Sequence, residues 1–258
     1  MVRFFIEKGK IKNNIAEISG EEYSHIKNVC RFREEDEIDL TDGEGIIYNC
    51  VINKIHKDKI EARVAGQKKI EIESKIKFNL FQSVIKPAKF DLIIEKAVEL
   101  GVASITPIYT ERSQYKLGGE KLLRLNRIAK MAVCQCGRTY IPVINDPIKL
   151  IVGAKGPSPL LQKINSKDVT LFLNERETDK LKTIKNIINR RGTTCGAPTK
   201  QINSINLIIG PEGGFTAEEE KFLTSNGAIS ATLGRRILRA ETAVIASIAV
   251  LMSELEEI

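Results

Sequence analysis

The sequence predicts an α/β protein in which a domain with a mainly parallel sheet follows a small β-rich domain. From residue 76 onward, short apolar runs alternate with segments of helical periodicity, a pattern typical of a parallel sheet. Residues up to about 67 show short alternating runs and turn clusters instead, which indicate a β-rich domain. The stretch 68–77 is charged and lacks an apolar face, so we place the boundary near 68–74, with domains at residues 1–70 and 74–258.

The amino-acid composition favours some classes of binding partner over others. The 258 residues carry a formal net charge of +7 and a pI near 9.1, which favours a polyanionic partner. Aromatic residues make up 5% of the chain and tryptophan is absent, so a phosphate-gripping surface is favoured over a platform that stacks many bases.

The cysteine and histidine content argues against a metal site, and the hydropathy argues against a membrane span. Five cysteines at irregular spacing predict reduced thiols, and with only two histidines we expect no metal site of the zinc or iron–sulfur kind. No apolar run reaches about eighteen residues, and the first residues turn charged too early for a signal peptide. We therefore expect no membrane partner and a cytoplasmic protein.

Four strands and one helix are predicted in the amino-terminal domain. The strands cover residues 4–6, 37–40, 46–52 and 59–65. Asp42-Gly43 predicts a hairpin turn before the third strand, and residues 19–29 have helical spacing. Any single basic residue here is more simply a solvated surface group. Taken together with the pI, a phosphate-contact surface is plausible at Arg3, Lys27, Arg31 and Arg33.

The carboxyl-terminal domain alternates strands with helices. Strands are predicted at residues 78–84, 105–109, 169–173 and 207–209, and helices at residues 89–100, 120–133, 181–188 and 241–254. Gly101 follows the first helix, where a left-handed residue is common. The last helix is apolar nearly all round, which predicts burial on several sides, either within one domain or at a subunit interface. Residues 153–166 and 191–206, rich in Gly, Pro, Ser, Thr and Asn, are interpreted as surface loops.

The strand at residues 207–209 ends in the turn Gly210-Pro-Glu-Gly-Gly214. Its glycines leave the backbone free of side chains that would hold a ligand away. Thr216 and Glu219 match a capping box, so a helix is expected to begin directly after the turn. A strand, a bare turn and a capped helix form a common ligand-binding arrangement. The motif is neither a P-loop nor a dinucleotide fingerprint, and a tight turn without a ligand remains the alternative.

A second motif begins at Leu233-Gly234 and runs into the last helix. It contains three arginines, Arg235, Arg236 and Arg239, beside a bare backbone turn. Guanidinium groups in such a place suit an anionic or nucleic-acid ligand. This second motif favours a ligand site over a structural turn.

The two motifs resemble those of the SPOUT methyltransferases. Ile209-Gly-Pro-Glu-Gly-Gly-Phe215 with Leu233-Gly-Arg-Arg-Ile-Leu-Arg-Ala-Glu-Thr-Ala243 is similar, more narrowly, to the bacterial 16S ribosomal RNA (uracil-N3)-methyltransferase family. Further matches to that family lie at residues 86–101, 110–113 and 135–138, and residues 25–31 with 37–43 resemble its PUA-like RNA-binding domain. Cys30 stands where the family usually has Leu and Cys134 where it usually has Glu, so no carboxylate role at position 134 carries over. The resemblance implies a carboxyl-terminal trefoil knot and a homodimer.

The resemblance also implies S-adenosyl-L-methionine as cofactor, bound among backbone groups of three loops. The residues implied are Leu173, Asn174, Ile209, Gly210, Pro211, Glu212, Gly213, Gly214, Leu233, Gly234, Ile237, Leu238, Thr242 and Ala243. Ile237 and Leu238 are expected to cover the adenine. Glu212 either faces the sulfonium charge or caps the turn. The loop at 191–206 immediately precedes the glycine motif and is a candidate lid.

The implied reaction is methylation of N3 of a uridine in 16S ribosomal RNA of the small ribosomal subunit. N3 lies on the pairing edge and carries a proton, so the base must be unpaired and the proton must leave. Arg239 is our candidate for the positive charge that favours the uracil anion. Glu241 is our candidate proton acceptor, with charge at a helix N-terminus as its alternative role. RNA contacts are expected from Arg3, Arg31, Arg33, Arg112 and Arg138, of which the last two are also candidates to act from the other subunit.

Two other functions stay open. An enzyme of the same superfamily could methylate another RNA position, such as a ribose 2′-hydroxyl. A catalytically silent RNA-binding or ribosome-assembly factor could keep the fold. The intact Gly-Pro-Glu-Gly-Gly and Arg-Ala-Glu-Thr motifs argue against silence.

Overall fold

The structure is a computed structural model that describes residues 3–150, 158–164, 168–177, 183–184, 186–187 and 202–255. The chain forms two units, one of residues 1–73 with 129–141 and one of residues 74–128 with 142–258. Residues 129–141 thus group with the amino-terminal residues although they lie far along the chain. The boundaries expected from the sequence, at residues 70 and 74, stay a prediction.

The first unit contains a six-stranded, mainly antiparallel sheet. Its strands are β1 (Arg3–Phe5), β2 (Ile11–Lys12), β3 (Ile15–Ser19), β4 (Glu37–Thr41), β5 (Ile46–Ile55) and β6 (Lys59–Lys69), in the order β1-β4-β5-β6-β3-β2. The β1–β4 pair is parallel and the other pairs are antiparallel. Alternate residues of the strands face a core that includes Phe4, Ile18, Leu40, Ile52 and Ile60. All four predicted strands are confirmed.

Two features of this unit differ from the prediction. The predicted helix at 19–29 is a short helix α1 (Gly20–Ser24) that continues as a π-helical turn at His25–Val29. Strands β2 and β3 were not predicted, because β2 is two residues long and β3 is recognisable only by its pairing with β6. The register of that pair opposes Ala16 to Ala62 and Ile18 to Ile60, which buries all four side chains.

The second unit contains a seven-stranded parallel sheet, which confirms the predicted α/β class. Its strands are β7 (Lys77–Ser83), β8 (Ser104–Tyr109), β9 (Val143–Ile144), β10 (Ile148–Lys149), β11 (Val169–Leu173), β12 (Ser204–Ile209) and β13 (Ile229–Ala231). The order is β10-β8-β7-β12-β11-β13, with β9 also paired to β8, and every pair is parallel. Strand β12 lies in the centre and is buried from Ile205 to Ile209, as expected of a strand covered on both faces.

Further helices follow β7 along the chain. They are α2 (Pro87–Glu99), α3 (Gly119–Cys136), α4 (Pro159–Lys163), α5 (Ala217–Ser225) and α6 (Ala240–Glu254). Gly101 has φ +86° after α2, as predicted for the residue that ends this helix. Helix α6 packs against α2 and buries Val244, Ile248 and Leu251, whereas Ile245 and Val250 are only half-buried. The fully buried residues of α6 thus lie along one face, and the predicted burial on several sides is only partial within this chain.

Two predicted loops need correction. Residues 158–163 of the first loop form the cap and the whole of α4, because Ser158 caps the helix by accepting from Leu160 N–H and Pro159 occupies the first helical position. Strand β12 begins at Ser204, within the second predicted loop. Its polar residue Asn206 is buried, and its side chain forms hydrogen bonds with Asp168, Thr170 and Asn79. Half of the predicted helix at residues 181–188 lies outside the described residues. The same holds for most of the candidate lid at residues 191–206.

The described residues also bear on thiols and on membrane spans. Cys30, Cys50, Cys134 and Cys136 are free, and burial raises the pKa of both Cys50 and Cys134 to about 12. Such thiols stay protonated at neutral pH and are poor nucleophiles. None of the helices described here has the length and apolar character needed to cross a membrane.

Candidate functional site

A cavity of about 290 Å³ lies where the central strands of the parallel sheet end. Parallel pairing of β12 with β11, and of β11 with β13, brings the carboxyl ends of these strands to one edge. The segments that follow them line the cavity, namely residues 173–175, 209–212, 214–215, 231–234 and 236–240, and Lys89 and Ala243 complete the wall. Ligand sites of α/β proteins commonly occur at this edge.

The glycine-rich turn brings bare backbone to the cavity. Gly214 has φ +67°, and a Cβ atom on it would lie 3.0 Å from Oε1 of Glu175. A Cβ atom on Gly210 would lie 3.2 Å from the ring of Phe215, which packs edge-on against Phe172. Both positions therefore need glycine, one for its backbone conformation and one for space.

Glu219 anchors the helix that follows this turn. The predicted capping box is confirmed: the Thr216 hydroxyl accepts from Glu219 N–H at 3.2 Å, and the Glu219 carboxylate accepts from Thr216 N–H at 2.9 Å. The second carboxylate oxygen accepts from Glu111 N–H at 2.8 Å. Because Glu219 is 3% exposed, these backbone donors take the place of water at its carboxylate.

The segment of Glu111 also holds the glycine turn through Arg112. Nη1 of Arg112 donates to the carbonyl oxygens of Gly213 at 2.6 Å and Phe215 at 3.4 Å. A second cavity, lined by residues 111–115 with Glu212 and Gly213, opens beside this contact. A side chain at Gly213 would meet Arg112 at 3.4 Å, so Gly213 faces this second cavity. The sequence did not reveal that Arg112 supports the turn.

The arginine-rich segment forms the opposite wall. Gly234 has φ +124°, and Thr232 fixes the turn by exchanging hydrogen bonds between its hydroxyl and the backbone of Gly234. Beyond it, Ile237 is 77% exposed at the rim of the cavity. Arg239 is exposed and lines the cavity directly before α6.

Lys89 is a charged group of the wall that the sequence interpretation missed. Its Nζ lies 3.4 Å from Oε1 of Glu212, on the glycine turn, and 3.5 Å from Oε2 of Glu241, in the first turn of α6. A sequence signal for it existed, since a lysine in the first turn of a helix opposes the helix dipole and needs a compensating anion. Its partners lie far along the chain, so the pattern did not identify them.

Most of the predicted cofactor residues come together. All of them line the cavity except Gly213, which faces the second cavity, and Thr242, which is exposed in the first turn of α6. Asn174 lines it while its side-chain amide donates to Glu220 at 3.0 Å and its oxygen accepts from Arg176 N–H. Glu241 does not line the cavity, and its carboxylate pairs with Lys89, which does.

The arginines predicted to contact RNA fall into two groups. Arg31 and Arg33 are exposed. Arg138 is 7% exposed and forms a buried ion pair with Glu73, and Arg3 donates to the carbonyl oxygens of Gly137 and Arg138. The RNA contact expected of Arg138 stays a prediction, and it would have to break the pair with Glu73.

Comparisons with known proteins agree with this geometry. A family described as RNA methyltransferase domain matches residues 72–252, and one described as RNA methyltransferase PUA domain matches residues 18–65. The ribosomal RNA small subunit methyltransferase E of Mesomycoplasma hyopneumoniae (strain 232) is 34% identical over 248 residues, which cover 95% of this chain and 96% of that protein.

Two solved structures are similar over nearly the whole chain. The ribosomal RNA small subunit methyltransferase E from Neisseria gonorrhoeae, bound to S-adenosyl methionine, has a TM-score of 0.79 at 28% identity. A Legionella pneumophila protein in complex with the cofactor SAM has a TM-score of 0.83 at 28% identity. Each alignment covers 98% of this chain and 97% of the other.

Proposed function

The chain belongs to the RNA methyltransferase family, and from that premise we propose that it methylates N3 of a uridine in 16S ribosomal RNA, with S-adenosyl-L-methionine as methyl donor. The observation that carries the proposal is the cavity at the carboxyl ends of β11, β12 and β13. Its wall is built from the glycine-rich turn and the arginine-rich segment, the two motifs with which the sequence resembles the uracil-N3 enzymes. The names of the relatives support the small ribosomal subunit as the substrate particle.

The residues of the cavity fit the proposed cofactor. Gly210 and Gly214 leave backbone groups open to a ligand, and a volume of about 290 Å³ is near the lower end for small-molecule sites. Leu238 and the exposed Ile237 are apolar surfaces suited to a purine ring. Glu212 offers a carboxylate to a positively charged sulfonium. When bound, S-adenosyl-L-methionine supplies an electrophilic methyl group.

This chain contributes charge and alignment to the reaction. Arg239, exposed in the cavity wall, stabilises the negative charge that uracil gains as N3 loses its proton. Glu241 accepts that proton through water, since its carboxylate is mostly buried and lies outside the cavity lining. Alignment of the two reactants in one cavity supplies the rest of the rate enhancement.

RNA binding is assigned to exposed cations. Arg31 and Arg33 present guanidinium groups on the amino-terminal domain, whose match to a PUA domain of RNA methyltransferases supports a role in holding RNA. Arg112 is exposed at the second cavity and combines a contact to the glycine turn with a place for phosphate. The domains are taken to cover residues 1–70 and 74–258.

We further propose the assembly and topology that the motifs imply. The chain acts in the cytoplasm as a homodimer, and its carboxyl-terminal segment forms a trefoil knot. Support for the dimer comes from the half-buried apolar residues of α6, such as Ile245 and Val250, which a second copy would cover. Static light scattering of the purified protein tests the dimer, and a monomer at micromolar concentration would contradict it.

The decisive experiment is transfer of labelled methyl from S-adenosylmethionine to small ribosomal subunits that lack native modifications, followed by nucleoside analysis. N3-methyluridine is the expected product. A 2′-O-methylated nucleoside would replace the proposed base chemistry with ribose methylation. Absence of both transfer and cofactor binding would favour a catalytically silent RNA-binding or ribosome-assembly factor.

A further inference from the structure

The ammonium group of Lys89 contacts two segments of the candidate site, the glycine turn and the first turn of α6. Lys89 lies in the first turn of α2, and its Nζ faces Glu212 at 3.4 Å and Glu241 at 3.5 Å. Glu212 belongs to the glycine turn after β12, whereas Glu241 belongs to the first turn of α6. The side chain of Lys89 is 31% exposed, and the residue lines the cavity.

The helix end at which Lys89 stands does not favour a cation. Helix α2 begins at Pro87, its first turn contains no acidic residue, and its cap residue Lys86 makes no side-chain cap. The partial positive charge of the N-terminus therefore repels the ammonium of Lys89. Two carboxylates from other parts of the chain compensate for this repulsion, so the position of Lys89 is explained by its partners and not by its helix.

Glu241 depends on this ammonium more than Glu212 does. The side chain of Glu241 is 13% exposed, and its Oε2 atom is buried and accepts no hydrogen bond from the described part of the chain. Glu212 is 42% exposed and keeps its access to water. Without Lys89, the buried Oε2 atom of Glu241 would lose its ion pair, and the carboxylate would lose the contact that fixes its position.

We infer that Lys89 is a positioning residue that holds the carboxylate of Glu241 in place beside the cavity wall. The inference rests on the proposed function, in which Glu241 accepts the proton of uracil N3. Lys89 lines the cavity and pairs with Glu241, which does not line it. Because Lys89 also contacts Glu212, the carboxylate of Glu241 and the glycine turn share one cation.

The test is a double-mutant cycle between Lys89 and Glu241 in the full-length protein. Lys89→Met keeps the length of the side chain and removes its charge, Lys89→Arg keeps the charge, and Glu241→Gln removes the carboxylate. Methyl-transfer rates are measured at saturating RNA and S-adenosylmethionine, cofactor affinity by calorimetry, and folding by thermal unfolding. We expect Lys89→Met to lower the rate about tenfold, the scale of coupling between residues in contact.

Three results together distinguish positioning from a purely structural role. Lys89→Arg should recover most of the rate, and the RNA concentration at half-maximal rate should stay within about twofold of wild type in Lys89→Met. The double variant should be no slower than Glu241→Gln alone, because Lys89 acts through Glu241. Losses that multiply in the double variant, or a wild-type rate in Lys89→Met, would overturn the inference.

Lys96 offers a matched control on the same helix. It is 34% exposed and pairs with two carboxylates, Glu95 at 2.7 Å and Glu99 at 2.8 Å, but it does not line the cavity. Lys96→Met should therefore leave the rate unchanged, and a loss equal to that of Lys89→Met would point to helix stability instead. Wild-type protein without methyl transfer would refute the proposed function and the inference with it. Active wild-type protein with fully active Lys89→Met would refute the inference alone.

Discussion

Replacing Glu219 by alanine tests how the glycine turn is held. One carboxylate oxygen of Glu219 accepts from Thr216 N–H at 2.9 Å and the other from Glu111 N–H at 2.8 Å. The variant would leave both donors without this partner at a site where Glu219 is 3% exposed. It would also release residues 110–113, from which Arg112 donates to the carbonyl oxygen of Gly213.

The magnitude follows from these two hydrogen bonds. Half of a capping box contributes about 1 kcal/mol. A buried hydrogen bond to a charged carboxylate adds about 2 kcal/mol. Glu219→Ala should therefore lower the free energy of unfolding by about 3 kcal/mol, and the midpoint of thermal unfolding by about 6–12 °C for a chain of this size. Glu219→Gln keeps one acceptor oxygen and should lose about half as much.

Urea and thermal unfolding measure these losses, and Glu218→Ala is the matched control. Glu218 lies in the same first turn of α5 and is exposed, so its removal costs only the interaction with the helix dipole, about 0.5 kcal/mol. A calorimetric titration with S-adenosylmethionine should show weaker binding by Glu219→Ala and unchanged binding by Glu218→Ala. Equal stabilities of the two variants would refute the argument that Glu219 anchors the turn.

Three further predictions concern other parts of the chain. Gly214→Ala should lower the free energy of unfolding by about 1–2 kcal/mol, because Gly214 has a left-handed backbone, and it should weaken cofactor binding. Gly213→Ala is free of that strain and should bind the cofactor nearly as the wild type does. Equal affinities of the two variants in a calorimetric titration would contradict this prediction. Arg239→Ala should keep the thermal midpoint, because the residue is exposed, and lose turnover in the methyl-transfer assay; full activity would remove its proposed role. Burial raises the pKa of Glu22, so the folded protein binds its proton more tightly than the unfolded chain. The contribution of Glu22 to the free energy of unfolding therefore falls as pH rises above 4.5 toward the raised pKa. Over this pH range Glu22→Gln should become more stable relative to the wild type. Parallel profiles of unfolding free energy against pH would contradict this prediction.

The motif at residues 209–216 illustrates what local sequence can predict. A short apolar run, a glycine cluster and a Thr-x-x-Glu pattern each report a property of neighbouring residues: burial, backbone freedom and capping. The structure confirms the strand, the turn and the capping box, and the comparisons confirm the family and the PUA domain. The arginine-rich segment was likewise expected beside the glycine turn, and both line one cavity.

Gly213 and Arg138 illustrate where the pattern was not sufficient. Gly213 belongs to the glycine turn, yet its orientation toward Arg112 places it at the second cavity, and sequence carries no information on that direction. The pairing of Arg138 with Glu73 was not predicted, because Glu73 lies in a distant part of the chain. Strand β3 was missed because its pairing with β6, rather than its own pattern, makes it a strand.

The amino-acid sequence by itself determined the class of fold, the approximate positions of eight of the thirteen described strands and of helices α2, α3 and α6, and the two motifs that form the cavity. These properties depend on apolar periodicity, turn residues and caps, which act between residues a few positions apart. Tertiary structure alone decided the strand order β10-β8-β7-β12-β11-β13 and the meeting of Lys89 with Glu212 and Glu241. Such contacts are selected by the packing of whole elements, which buries more surface than any local interaction, so the residues they join leave no common signal in the sequence.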